Sequence, residues 1–96
     1  MSLETVQKNI ESFNAQIAVL DEQKAGIEAV ISNLQKELAQ IENSITRHTS
    51  PAANKSKNTE IIRYKSDILK KSTELDSLLK KIEKLNNIVH NIRQFF

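Results

Sequence analysis

The sequence predicts an all-α fold, an antiparallel two-helix coiled-coil hairpin, and three observations predict it. Large apolar residues recur at alternating three- and four-residue steps over residues 3–45 and again over 61–96. That is the period of a helix built to lie along another helix. Between the runs, residues 46–60 hold no large apolar side chain but do hold the chain's single proline, Pro51. Finally, the 96 residues include one glycine and are 4% aromatic, the balance of long helices rather than of a globule with a deep centre.

The first run sets a at Leu3, Ile10, Ile17, Lys24, Ile31, Leu38 and Ile45, with d at Val6, Phe13, Leu20, Ile27, Leu34 and Ile41. Lys24 alone interrupts it. Ser2 is placed to cap this helix and Glu4 sits in its first turn, where a carboxylate complements the helix dipole. The helix is expected over about 2–47, and at ~1.5 Å per residue it spans roughly 65 Å. Gly26, at an outer c position, costs about 1 kcal/mol relative to Ala, which the length of the seam overrides.

Proline cannot continue a helix but suits the first turn of a new one. Ser50-Pro51-Ala52-Ala53 therefore reads as an N-cap followed by Pro at N1. Asn58 or Thr59, with Glu60 behind, offers a second start. The turn is expected near 49–50, within a connection of 48–58 at its widest and with weakly held polar turns up to Asn58. Helix 2 then begins at 51 or 58 and runs to about 95. Its a positions are Ile61, Ile68, Leu75, Ile82, Val89 and Phe96; its d positions are Tyr64, Lys71, Leu78, Leu85 and Ile92. Two matching runs around one proline predict a single helical-hairpin domain over 1–96.

The core lysines select a register. One alignment sets Lys24 directly against Lys71, a like-charge clash. The next pairs Ile41 with Ile61, Leu34 with Ile68, Leu20 with Ile82, Phe13 with Val89 and Val6 with Phe96, and puts the lysines in different layers. We expect the second. A core lysine can fix register at a cost in stability, but the simpler account, that its stem lies along the seam while the ammonium reaches water, is favoured. The two halves differ in charge: residues 1–48 carry four Lys/Arg and seven Asp/Glu, residues 49–96 ten and five. Glu37 is expected near Asp67, and Glu42 within reach of Lys65.

One seam does not use all the apolar surface, and so small a domain is marginal on one seam. Ile62 and Leu69 at b, Leu79 at e, and Ile88 and Phe95 at g lie off it, with Val19 and Val30 on helix 1. The first five are candidate partner-binding residues, for a dimer of hairpins forming a four-helix bundle or for docking on another helical protein. The alanines at b and f of helix 1 need no partner, because Ala is the best helix former on an exposed face.

Other chemistry finds little support. There is no cysteine, hence no disulfide or thiolate site. His48 and His90 form no metal-binding pair and are expected to be solvated. No phosphate loop or nucleophile motif occurs, a two-helix hairpin is expected to offer no enzyme-sized pocket, and no enzyme activity, cofactor or small-molecule substrate is expected. No apolar run is long enough for a membrane span and no signal-peptide plan begins the chain, so cytoplasmic location is the default. Net charge is +2. Arg63, Lys70, Lys80 and Lys84 could follow nucleic-acid phosphates, but Asp67, Glu74, Asp76 and Glu83 are interleaved, so nucleic-acid binding stands as the alternative. The leading expectation is a non-enzymatic interaction module, a coiled-coil scaffold, adaptor or small helical chaperone. A further alternative is an extended parallel dimer broken at Pro51. Size and hairpin plan imply no particular family.

Overall fold

A computed structural model describes residues 2–95. It contains two helices, α1 (Leu3–Ser44) and α2 (Pro51–Phe95), and no strand among those residues. The chain is an all-α helical hairpin.

α1 starts as its cap predicts. The Ser2 hydroxyl accepts a hydrogen bond from the Thr5 amide at 3.2 Å, and the Ser2 carbonyl accepts one from the Val6 amide at 3.1 Å. The helix ends at Ser44, short of the expected 47, because local partners take over its last carbonyls. The Ser44 hydroxyl donates to the Ile41 carbonyl at 2.6 Å, and the Ile45 amide turns tightly back to Glu42 at 3.2 Å. Lys57 Nζ then donates to the Ser44 carbonyl at 3.1 Å. The Thr46 amide donates to Thr49 Oγ1 at 2.8 Å and the Thr49 amide to the Thr46 carbonyl at 3.0 Å, which closes the turn.

α2 begins at Pro51, not at Asn58. Ser50 is its N-cap: the hydroxyl accepts from the Ala53 amide at 3.2 Å and the carbonyl from the Asn54 amide at 2.8 Å. Pro51 supplies a preset φ at N1 and lacks only an amide hydrogen that would have gone unused. The polar turns that follow are regular helix. Thr59 returns its hydroxyl to the Lys55 carbonyl at 3.0 Å, as Thr73 does to Leu69 at 3.0 Å, so neither competes with the helical ladder.

The chain divides into two compact units. The first joins Met1–Gly26 to Leu75–Phe96, and the second is Ile27–Glu74. In the first, α1 packs along the end of α2 and buries Val6, Leu78, Ile82 and Val89, at 2%, 7%, 9% and 5% exposure. Burying a side chain of this kind contributes about 1.5–3 kcal/mol. In the second, Ile27, Ile31, Leu34, Leu38, Ile41, Ile61, Tyr64 and Ile68 are all half-buried. The folded-back pairing replaces the extended parallel arrangement. Leu3 departs from the seam pattern, at 62% exposure in the first turn. Phe96, expected opposite Val6, lies outside the described residues.

Contacts within each unit follow the register that separates the lysines. In the second unit Lys57 meets Ser44, and Glu37 lies close enough to Tyr64 to raise its pKa. In the first, Leu20 shares a groove with Lys81, Lys84 and Leu85. Lys24 and Lys71 fall in different units and both are half-buried. Lys71 Nζ reaches out to Glu74 at 3.3 Å, as an outward-reaching stem should.

Candidate functional site

Helical geometry sorts the off-seam apolar residues. At 100° per residue, positions seven apart nearly coincide in direction while positions nine apart are opposed. Ile88 and Phe95 therefore share a flank of α2, and Leu79 lies on the other side. All three belong to the first unit. Phe95 is 84% exposed and Leu79 39%, whereas Ile88 is half-buried. Ile62 and Leu69 belong to the second unit, one heptad apart on one row and each 68% exposed. The five residues are thus divided between units and, in the first, between opposite flanks.

Ile88 is half-buried because it forms one wall of a shallow groove of about 500 Å³. Leu20 and Leu85, both at d, make its floor, and Val19 on α1 forms the facing wall beside Gln16. Lys81 and Lys84 complete the lining, their aliphatic stems adding to the apolar surface while the ammonium groups stay hydrated. The groove is a surface concavity open to solvent rather than an enclosed pocket. Its lining is aliphatic with a basic rim and includes no nucleophile or carboxylate. It can receive an apolar ridge whose flanks are neutral or acidic. Sequence patterning identifies Ile88 but not its pairing with Val19. Lys84, grouped with the phosphate-binding candidates, instead lines this apolar groove.

The second unit carries a smaller concavity of about 370 Å³, lined by Val30, Leu34, Asp67, Lys70, Lys71 and Glu74. Here each lysine has a carboxylate within one turn of α2. Arg63 lies over the Tyr64 ring, 5.4 Å from its centroid. Tyr64 has its pKa raised above 10, first by its hydrogen bond to Glu37 and then by desolvation and the Glu37 charge, against an opposing effect of Arg63. The four phosphate-binding candidates are split, with Arg63 and Lys70 in the second unit and Lys80 and Lys84 in the first.

The histidines lie on exposed surface or in the turn. The Gln94 amide lies 3.1 Å from His90 Nε2, and the His48 amide donates to Thr46 Oγ1 at 3.2 Å. No cluster of three or more metal-ligating side chains occurs among the described residues, and none of their helices is long and apolar enough to cross a membrane. No protein-family model, curated protein or solved structure matches the chain, so its function is argued from its own residues.

Proposed function

We propose that the protein is a non-enzymatic interaction module, a helical hairpin that works by packing its apolar flank against another helix. The observation that carries this reading is the groove between Val19 and Ile88, with aliphatic walls and floor left open to solvent. Large apolar side chains beyond the seam support it, since Leu69 and Phe95 stay 68% and 84% exposed. Scaffold, adaptor and helical-chaperone roles all use such a face, burying an amphipathic segment by the hydrophobic effect.

The test compares Ile88→Glu with Arg63→Glu and Lys80→Glu, using binding of an apolar fluorescent dye and retention on a polyanion column. At dilutions where any self-association is reversed and the groove is open, Ile88→Glu should leave helicity unchanged and abolish dye binding, while the basic-site variants retain it. The opposite pattern would transfer the function to nucleic acid: strong retention that falls steeply with salt, is lost in Arg63→Glu and Lys80→Glu, and is indifferent to Ile88→Glu.

A further inference from the structure

We propose that the occupant of the Val19–Ile88 groove is a second copy of this chain, packed so that α1 of each copy lies against α2 of the other. This rests on the interaction reading above and names its partner. Three observations carry it.

The first is surface. Phe95 continues the Ile88 row one heptad on and is 84% exposed, so the apolar surface of this flank runs beyond the groove. The second is the poverty of the core. Four apolar side chains are buried among the described residues, all of them in the first unit, and so small a core rarely sustains a domain alone. A second copy on this flank would cover Val19, now 54% exposed, together with Ile88.

The third observation is charge, and it selects the arrangement. In the first unit, residues 1–26 carry two lysines and four carboxylates, and residues 75–96 four basic side chains and two carboxylates, so their side chains carry −2 and +2. Two copies can meet on this flank about a twofold axis in two ways. With the axis across the helices, α1 faces α1 and α2 faces α2, which places the Lys81 and Lys84 pairs of the two copies together. With the axis along the helices, the acidic segment of each copy faces the basic segment of the other. Glu22, one turn beyond Val19, then comes level with Lys81 of the second copy. Like charges brought together at an interface are costly, and complementary ones fix its register. Both arrangements keep neighbouring helices antiparallel, as four-helix bundles do, so charge decides between them.

The chain contains no cysteine, which permits a direct test. Single variants Val19→Cys and Lys84→Cys, which this arrangement sets at one level across the interface, are mixed, oxidised mildly and separated without reductant, and the mass of the parent chain is measured by sedimentation equilibrium. The expected result is a dimer in which the two variants cross-link to each other, while neither forms a homodimeric disulfide efficiently. Ile88→Glu should raise the dimer dissociation constant at least about tenfold. Cross-linking of Val19→Cys to itself would overturn the arrangement. A dimer insensitive to Ile88→Glu would overturn the choice of flank. A folded monomer that still binds the apolar dye through Ile88 would overturn the second copy as occupant while leaving the interaction reading in place, and a folded monomer that binds no dye would overturn both.

Discussion

Tyr64 is the residue whose chemistry most directly reports the pairing of the helices. It is the only tyrosine in a chain without tryptophan, so its ionisation can be followed without interference. Glu37 on the facing helix favours the protonated phenol as a hydrogen-bond acceptor and disfavours the phenolate by its charge, which raises the pKa above 10. A group whose folded pKa is raised contributes stability that is complete below the unfolded value, and that stability is lost as pH rises through the folded one. Thermal stability should therefore decline in the alkaline range above pH 10, and Tyr64→Phe should flatten that decline. A tyrosinate absorbance titration with its midpoint at or below 10 would show that Glu37 and Tyr64 do not meet. Ser50 is the second informative residue. Its hydroxyl caps α2, and Ser50→Ala should cost about 1 kcal/mol in denaturant unfolding. A silent substitution would mean that α2 begins further on. Of these two residues the sequence discloses only Ser50, because a cap and Pro at N1 are local. The Glu37–Tyr64 bond depends on two residues far apart in sequence, and patterning gives Glu37 a different neighbour.

Both helices are legible in the sequence because apolar side chains repeating on a seven-residue cycle bring one stripe of a helix against another helix, and a strand or loop gains nothing from that spacing. Their inner ends are less so. Around the turn there is no large apolar side chain to mark a buried face, and side-chain hydrogen bonds of Ser44, Thr46 and Thr49 decide where α1 stops. The polar start of α2 is regular helix for a similar reason, since Thr59 satisfies its hydroxyl within the helix. Gly26 tests the outer surface of α1. An added Cβ there meets nothing within 4 Å, and its backbone has no left-handed φ to require glycine. Gly26→Ala should stabilise α1 by about 1 kcal/mol in the dilute chain, measured by chemical denaturation. A loss instead would indicate another backbone packed closely at that position. In the core, Ile82→Ala should destabilise by about 2 kcal/mol or more, because Ile82 is 9% exposed in the best-buried part of the seam.

For the molecule as a whole, the hairpin is legible in the sequence but the groove is not. Counted as residues off the seam, Ile62, Leu69, Leu79, Ile88 and Phe95 look equivalent. Their directions around α2 separate them, and of the five Ile88 is the one that meets a facing wall in this groove, supplied by Val19 from the other helix. The residues that line the groove come from both ends of the chain, so no local motif could bring them into one set. The same folding-back leaves a thin seam, with four apolar side chains buried among the described residues, so the proposed association would add to its stability. Any partner that binds only the folded state raises its apparent stability by mass action.

Thermal unfolding as a function of protein concentration tests the central claim, that this flank is built to be covered, most directly. The unfolding midpoint of the parent chain should rise steadily with concentration. For Ile88→Glu, matched for helicity in the folded state, the midpoint should stay constant. A midpoint independent of concentration in both proteins, with both remaining folded when dilute, would contradict that claim.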